Sequence, residues 1–280
     1  MIAAVVPTYR PDPEALAVVL ESITVPTLVV DDASPCASDQ VLRDVAMATP
    51  VVRHRRNAGV ARGLNDGLAW AVERGATWLL TVDQDSVLPP DYLNGLLDQV
   101  SLSESILGRG RVGAVGAGRI DDASGALGYP VSWRTGIPTT HELIQTGTLW
   151  SVGALVGVGG FDETLGIDAV DAAACLRLRE ADRAIVVAPA VAISHRLGDG
   201  RQVTVLGRSV LASGHSPQRR TTMVRNRIRL FPAEFAMSPL HALRTIRRVS
   251  VNTVLAVTVE PDRWAKAKAS ARGLLPARER

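Results

Sequence analysis

Two aspartates separated by one residue follow a short apolar run in the segment Thr81-Val82-Asp83-Gln84-Asp85-Ser86. Carboxylates at positions i and i+2 around a turn can converge on one hard divalent cation, Mg²⁺ or Mn²⁺. A cation held there would bridge the phosphates of a nucleoside diphosphate and neutralise charge on a leaving group. Because aspartate is also common in ordinary turns, the pair indicates a metal site only if other polar groups lie beside it.

Two other polar clusters also end apolar runs. Pro7-Thr8-Tyr9 follows the run that begins at Ile2, and Asp31-Asp32 follows Leu28-Val29-Val30. Helical patterns alternate with these runs, at Asp12–Ile23, Asp39–Met47 and Gly59–Arg74. This alternation predicts βαβ units and an α/β fold with a mainly parallel central sheet flanked by helices. The carboxyl ends of parallel strands share one edge, where ligands bind, so we expect the three clusters to form one site.

The composition suits a folded protein of a reducing compartment. Of the 280 residues, 46% are hydrophobic, which is enough to bury a sizeable core. Two cysteines, Cys36 and Cys175, cannot form a disulfide framework, and this favours a cytoplasmic location. We expect no signal peptide, because the chain opens directly on a strand-like run. We also expect no spanning helix, because no apolar run reaches the roughly 18 residues required.

The charge is distributed unevenly along the chain. The formal net charge is +3, yet residues 218–280 carry 14 lysines and arginines against four acidic residues. Because only 4% of residues are aromatic, the chain has little capacity for base stacking, and we expect no nucleic-acid partner. The segments Val249–Val259 and Trp264–Leu275 place apolar residues beside arginine and lysine, which is typical of helices on an anionic membrane surface. The alternative is that these helices pack on the rest of the chain.

Nine short motifs follow one another between Ile2 and Leu230. They are Val5-Val6-Pro7-Thr8-Tyr9, Val29-Val30-Asp31-Asp32-Ala33-Ser34, Asn57-Ala58-Gly59-Val60-Ala61-Arg62-Gly63-Leu64-Asn65, Asp83-Gln84-Asp85, Gly159-Gly160-Phe161-Asp162-Glu163, Ile167-Asp168-Ala169-Val170-Asp171, Ser194-His195-Arg196-Leu197-Gly198, His215-Ser216-Pro217-Gln218-Arg219-Arg220 and Met223-Val224-Arg225-Asn226-Arg227. In order and spacing they resemble the family 2 glycosyltransferases, and within that family the bacterial rhamnosyltransferases.

The resemblance implies a GT-A (Rossmann-like) fold and a division of the chain. The catalytic domain would cover residues 1–231, with a nucleotide-binding half of about 1–110 and an acceptor half of about 111–231. The composition of the tail separately predicts that residues 232–280 form a helical, basic extension, for which association with a membrane surface is one hypothesis. The implied ligands of the metal, Mg²⁺ or Mn²⁺, are Asp83, Asp85 and His195, although a lone histidine is as often structural.

The resemblance also implies which residues bind the donor. The residues expected to contact the nucleotide sugar are Pro7, Thr8, Tyr9, Asp31, Asp32, Arg62, Asp83, Gln84, Arg219, Arg220 and Arg225. Either Asp32 or its neighbour Asp31 would accept hydrogen bonds from the base, and Arg62 would reach the nucleotide or its phosphates. A surface position on a helix remains the alternative for Arg62, and the three later arginines would bind the diphosphate from a glycine-containing lid that begins near Leu197.

Asp171 is the general base that the resemblance implies, six residues before Arg177 of the Cys175-Leu176-Arg177 motif. An inverting transfer needs one carboxylate that removes the proton of the acceptor hydroxyl. The alternative for Asp171 is an N-cap of the following helix, and Asp168 is the other candidate base. The run Ala172–Ala174 departs from the family pattern, because it replaces a polar and aromatic stretch that includes an acidic residue.

The function implied is inverting transfer of a sugar, with rhamnose from dTDP-rhamnose as the donor and a saccharide or lipid-linked saccharide as the acceptor. The setting would be synthesis of cell-envelope polysaccharide, in the cytoplasm or peripherally on the cytoplasmic face of the plasma membrane. The alternatives are the same fold with a different nucleotide sugar, and a nucleotide-sugar-binding homologue without catalysis. A dinucleotide-dependent oxidoreductase is not favoured, because Gly113–Gly118 lacks the GxGxxG spacing.

Overall fold

The computed structural model describes residues 1–122, 125–194, 201–205, 208–212 and 214–275. Contacts within the chain divide it into two compact units. Unit 1 contains Met1–Asp121, Ala126–Gly166 and Val170–His195, and unit 2 contains Asp122–Gly125, Ile167–Ala169 and Arg196–Arg280.

A ten-stranded sheet forms the centre of unit 1. Its strands are β1 (Ile2–Thr8), β2 (Thr27–Asp31), β3 (Val51–Arg53), β4 (Trp78–Thr81), β5 (Val112–Asp122), β6 (Gly125–Gly128), β7 (Ser132–Arg134), β8 (Ile137–Thr139), β9 (Thr148–Ser151) and β10 (Ala184–Ser194). They lie in the order β3-β2-β1-β4-β9-β5-β10-β8-β7, with β6 beside β5. The strands β3, β2, β1 and β4 are mutually parallel, as the alternating pattern predicted.

Parallel pairing does not extend across the whole sheet. Strand β9 runs antiparallel to both β4 and β5, and β8 runs antiparallel to β7 and β10, while β5 and β10 pair in parallel. A strand that returns antiparallel needs no crossover helix, which explains why no helix separates the strands from β5 to β9 in the sequence. The predicted α/β fold with a large central sheet flanked by helices is confirmed, and its second half is mixed rather than mainly parallel.

Helices cover both faces of the parallel strands. The helices of unit 1 are α1 (Pro13–Ser22), α2 (Asp39–Ala46), α3 (Val60–Glu73), α4 (Tyr92–Leu107), α5 (Val152–Gly157) and α6 (Val170–Glu180). Side chains of β1 alternate between the faces: Ala4 and Val6 join the core with residues of α1 and α4, and Val5 lies against α3. Helix α4 was not predicted from the sequence. Its interior Gly95 lowers helix propensity, yet a Cβ there would lie 2.6 Å from Val191 of β10.

Unit 2 contains a β-hairpin and three long helices. Its elements are β11 (Arg201–Val205), β12 (Arg208–Ala212), α7 (Pro217–Met237), α8 (Pro239–Thr258) and α9 (Arg263–Gly273). Helix α7 continues to Met237, so the proposed domain boundary at residue 231 falls inside a helix, and the functional division stays a prediction. The three helices enclose charged groups: Lys266 and Glu260 form an ion pair of 2.8 Å between Nζ and Oε2, with both side chains 3% exposed.

The membrane predictions concern mainly this helical part of the chain. Over the residues that the structure describes, no helix combines the length and the apolar character needed to cross a bilayer.

Candidate active site

The carboxyl ends of the parallel strands bring the three predicted polar clusters to one edge of the sheet. Thr8, the last residue of β1, lies opposite Asp31, the last residue of β2. On the other side of β1, Thr81 of β4 lies opposite Val5, so the chain enters the Asp83 turn at the level of the end of β1. The edge that the sequence predicted as a ligand site therefore carries Pro7–Tyr9, Asp31–Asp32 and Asp83–Asp85 together.

The two aspartates of the turn after β4 have different surroundings. The Asp83 amide donates to Thr146 Oγ1 at 3.0 Å, and its carboxylate Oδ1 accepts a hydrogen bond from Gln145 Nε2. The carboxylate of Asp83 is therefore held in place by the segment that leads into β9. Asp85 is exposed, and its carboxylate has no hydrogen bond or ion pair within the described parts of the chain. One fixed and one open carboxylate, both hard oxygen donors, suit Mg²⁺ or Mn²⁺.

Gln84, between these aspartates, joins the turn to the end of β1. Its Oε1 accepts from the Tyr9 amide at 2.9 Å, and its Nε2 donates to the Tyr9 carbonyl at 3.2 Å. A side-chain amide can accept from the backbone N–H and donate to the backbone carbonyl of one residue, as a neighbouring strand does. Gln84 thus positions the turn relative to β1, while the Tyr9 ring stays 42% exposed with the Arg10 guanidinium 5.2 Å from its centre.

Asp31 and Asp32, at the end of β2, also differ. Asp31 is fully buried, and its Oδ2 accepts from the Ser34 amide at 3.0 Å and from Arg53 Nε at 3.1 Å. Asp32 is 8% exposed. Its Oδ1 accepts from the Ala58 amide at 2.7 Å and its Oδ2 from the Gly59 amide at 2.9 Å. The Asp32 carboxylate therefore holds the loop that leads into α3.

His54, which the sequence did not single out, links this loop to α3. Its Nδ1 lies 2.9 Å from Asp32 Oδ1 and its Nε2 lies 2.6 Å from Asp66 Oδ2. Burial opposes the charged imidazolium, but the hydrogen bonds to the two carboxylates outweigh it, so the pKa of His54 is raised. The only sequence signal is that His54 directly follows β3, at the same edge of the sheet as the other polar strand ends.

Arg62 points toward acidic side chains in this structure. Its Nε lies 3.2 Å from Asp66 Oδ1, one helical turn further along α3, and its Nη1 lies 3.6 Å from Glu163 Oε2. The side chain remains 51% exposed. Exposed pairs of this kind contribute about 0–1 kcal/mol, so the guanidinium can leave them for a phosphate at little cost.

The motif Gly159–Glu163 is attached to α3 by Asn65. The Asn65 Nδ2 donates to the Phe161 carbonyl at 2.9 Å, and its Oδ1 accepts from the Phe161 amide at 2.8 Å. A Cβ at Gly160 would lie 2.6 Å from Asn65 Oδ1, so this approach requires glycine. From the other side, Arg177 of α6 donates to the carbonyls of Val158 and Gly160. These bonds fix the turn between α3 and α6.

Asp171 is the second residue of α6, in unit 1 together with the strand-end clusters. It lies inside the first turn rather than at the residue before the helix, where an N-cap would stand. Its Oδ1 accepts from the Ala172 amide at 2.8 Å, and the residue is half-buried. A carboxylate in the first turn is stabilised in its charged form by the helix dipole. Ala172–Ala174, which depart from the family pattern, are buried.

The remaining predicted arginines lie on α7 in unit 2. Arg219 Nη2 lies 3.1 Å from Asp168 Oδ1, which is also in unit 2. Arg220 is 2% exposed and donates to the Asn252 carbonyl of α8 at 2.8 Å, and burial lowers its pKa. Arg225 is half-buried. Their predicted contact with the diphosphate stays a prediction.

The segment that contains Asp168 has an unusual backbone. Asp168 and the next residue, Ala169, both have positive φ, at 65° and 62°. Asn226 of α7 donates to the carbonyls of Ile167 and Asp168, at 2.9 and 2.8 Å. The left-handed backbone conformation is unfavourable in free energy for non-glycine residues. The two hydrogen bonds from Asn226 hold this segment in that conformation. Asp168, the other candidate base, is thus paired with Arg219. His195, the third predicted metal ligand, lies outside the described residues, as does part of the predicted lid.

Comparison with known proteins agrees with this architecture. Residues 4–142 match the model of Glycosyl transferase family 2. The chain is 27% identical over 243 residues to the dTDP-rhamnosyl transferase RfbF of Shigella flexneri, covering 80% of this chain and 78% of RfbF.

Two solved structures have similar folds. One is residues 1–349 of S. aureus TarS in complex with UDP-GlcNAc, with a TM-score of 0.58 and 15% identity, covering 96% of this chain and 79% of that one. The other is GalNAc-T7 with UDP, GalNAc and Mn²⁺, with a TM-score of 0.58 and 12% identity, covering 81% of this chain and 47% of that one. The match over residues 4–142 identifies a Glycosyl transferase family 2 domain in this chain, and the two solved structures agree with the GT-A fold.

Proposed function

We propose that this glycosyltransferase inverts the anomeric centre of a nucleoside-diphosphate sugar, with the donor bound at the carboxyl edge of β1, β2 and β4. The observation that carries this proposal is the meeting of the Asp83–Asp85 turn with the ends of β1 and β2, held by the two bonds between Gln84 and Tyr9. In that arrangement the carboxylates of Asp83 and Asp85, which would bind a metal, lie beside the strand ends that would bind the nucleotide.

Asp83 and Asp85 would hold a divalent metal, Mg²⁺ or Mn²⁺. When bound, such an ion neutralises the negative charge of the diphosphate leaving group. Gln145 orients the Asp83 carboxylate through its hydrogen bond, and Asp85 is exposed and open to a ligand. GalNAc-T7, which shares the fold, was crystallised with Mn²⁺. His195 stays a predicted third ligand.

Asp32 is the better of the two candidates for contact with the base. Both of its oxygens accept hydrogen bonds from the loop before α3, but a carboxylate oxygen can accept two bonds, and within the described residues Oδ2 accepts only the Gly59 amide. Asp32 is also slightly exposed, whereas Asp31 is fully buried against Arg53 and Ser34. Pro7, Thr8 and Tyr9 would line the same pocket.

Asp171 is proposed as the general base that takes the proton of the acceptor hydroxyl. Its carboxylate stands in the first turn of α6, whose dipole favours the charged form that a base needs. We expect Asp171→Asn to lower kcat by about 10²–10⁴-fold and to leave donor affinity unchanged, as measured by calorimetric titration of the donor. Glu180→Gln, at the exposed end of the same helix, is the matched control. Full activity of Asp171→Asn would remove this assignment.

The metal assignment has its own test. We expect EDTA to abolish transfer and Mg²⁺ or Mn²⁺ to restore it, and Asp85→Asn to raise the metal concentration needed for half-maximal activity. Asp98→Asn, an exposed aspartate of α4, is the control for the loss of one surface charge. An enzyme indifferent to EDTA would contradict the metal site.

For the donor sugar we propose rhamnose from dTDP-rhamnose, with a saccharide or lipid-linked saccharide of the cell envelope as acceptor. The support is the likeness to RfbF, a dTDP-rhamnosyl transferase, over most of both chains. A different nucleotide sugar is the second candidate, because the structural neighbour TarS was solved with UDP-GlcNAc. Thermal-shift titration with dTDP-rhamnose and UDP-sugars in the presence of Mn²⁺ separates them, and stronger stabilisation by a UDP-sugar would refute the rhamnosyl proposal.

A further inference from the structure

One side of α8 carries an exposed apolar stripe. Leu240, Leu243, Val251 and Val254 are 60%, 53%, 49% and 58% exposed. At about 100° per residue, these four positions fall within a sector of roughly 80° on one side of the helix. The opposite side is buried within unit 2 and carries the small residue Ala242 and the polar Thr245. The exposed apolar stripe of α8 therefore lies on the side of the helix opposite to the side that packs within unit 2.

Arginines stand within and beside this stripe. Arg247 lies between Leu240 and Val254 on the helical wheel, and Arg244 flanks Val251. Neither arginine has an ionic partner among the described residues. Helix α8 contains three arginines and no acidic residue. The face thus combines large aliphatic side chains with positive charge, which is the composition of a helix that lies in a membrane interface.

A second copy of the chain fits this face less well than a bilayer. In a symmetric dimer through α8 the same patch meets itself, so Arg244 and Arg247 would face arginines of the other copy without an acidic partner on the helix. An anionic bilayer supplies both the negative headgroups for the arginines and the acyl boundary for the aliphatic residues. No described helix can cross the bilayer, so the contact would be at the surface.

We propose that this face of α8 binds the surface of an anionic phospholipid bilayer, with Leu240, Leu243, Val251 and Val254 at the boundary between headgroups and acyl chains. The arginines face the lipid phosphates. This inference goes beyond the transfer reaction and does not depend on it, because α8 contains none of the residues assigned to the donor site.

Co-sedimentation of the full chain with vesicles tests the proposal. We expect binding to vesicles that contain phosphatidylglycerol and not to vesicles of phosphatidylcholine alone, with loss of binding at high salt. Each basic residue near an anionic surface contributes about fivefold in partition, so Arg247→Glu should weaken binding by more than about fivefold. Arg109→Glu, at an exposed turn of unit 1, makes the same charge change in a different element and should bind as the wild type does.

The apolar contribution is tested by a second matched pair. Leu243→Gln should weaken vesicle binding by roughly fivefold, from the lost burial of one aliphatic side chain. Leu102→Gln in α4 alters a residue of nearly equal exposure, 51% against 53%, and should have no effect. Equal binding by all four variants, or no binding by the wild type, would overturn the proposal. Light scattering that shows a wild-type dimer dissociated by Leu243→Gln would overturn it in favour of a second copy of the chain.

Discussion

Two glycines of α3 face the central strands and should respond in opposite directions to the same substitution. Gly63 and Gly67 are four residues apart, on the same side of the helix. A Cβ at Gly67 would lie 2.4 Å from both Cβ and Cγ2 of Val5, whereas a Cβ at Gly63 would lie 3.5 Å from Pro7 Cβ. The first distance is a severe overlap and the second is ordinary van der Waals contact. Both Gly→Ala substitutions raise helix propensity, but only the one at Gly67 creates an overlap, so comparing the two variants isolates the effect of packing on stability.

The magnitudes follow from these distances. Carbon atoms pack at about 3.5–4.0 Å, so Gly67→Ala requires α3 or β1 to move by about 1 Å. Val5 is fully buried on a strand paired on both sides, and it has little room to yield. Over-packing costs about 1–3 kcal/mol and a helical alanine contributes about 1 kcal/mol over glycine. The overlap at Gly67 is severe, so over-packing there should cost about 3 kcal/mol, and Gly67→Ala should destabilise by about 2 kcal/mol after the gain in helix propensity. We expect Gly63→Ala to stabilise by up to about 1 kcal/mol.

Thermal unfolding followed by circular dichroism measures both variants. At about 2–4 °C per kcal/mol for a unit of this size, Gly67→Ala should lower Tm by about 4–8 °C and Gly63→Ala should raise it by about 2–4 °C. Urea unfolding should shift the midpoint in the same two directions. If both alanines raised Tm equally, the close approach of α3 to β1 would be refuted.

Three further predictions concern polar contacts. The two carboxylate partners of His54 raise its pKa, so its stabilising effect is complete below about pH 6.5 and is lost as pH rises through the folded-state pKa. His54→Asn should therefore lower Tm most at low pH. A difference in Tm between variant and wild type that grows with pH would contradict this. Gln84→Leu removes both bonds to the Tyr9 backbone and should weaken donor binding about fivefold, or about 1 kcal/mol, in a calorimetric titration; unchanged affinity would deny the positioning role. Lys266→Met leaves the buried Glu260 carboxylate without its ion-pair partner and should lower the free energy of unfolding in urea by about 3–5 kcal/mol. The double variant Lys266→Met/Glu260→Leu should recover most of this loss. An equal loss in both variants would refute the buried ion pair.

The site edge could be predicted because its signal is local in the sequence. Apolar runs that end in Thr8, Asp31 and Asp83, with helical patterns between them, require parallel strands whose carboxyl ends coincide. The same reasoning does not extend past β5, because β7, β8 and β9 pair antiparallel with their neighbours and no helix separates them in the sequence. Helix α4 was missed at Gly95, where close packing on Val191 favours a residue that helix propensity disfavours.

The individual contacts could not be predicted, because they join residues that are distant in the chain. His54 meets Asp32 and Asp66 only after β3 has paired beside β2, and Gln84 meets Tyr9 across 75 residues of sequence. Arg220 looked like its neighbour Arg219 in the sequence, yet one side chain is buried and the other pairs with Asp168. A helix turns by about 100° per residue, so adjacent arginines face different surroundings, and only packing decides which.

The sequence by itself determined the α/β class, the family and the edge at which polar strand ends gather, since these depend on residue type, order and periodicity. Tertiary structure alone decided which of those polar groups are already occupied. Asp83 is held by Gln145 while Asp85 stays open, and Asp32 holds a loop while Asp31 is buried. The physical reason is that a carboxylate's role depends on which donors reach it, and the donors here come from strands and loops far away in the chain.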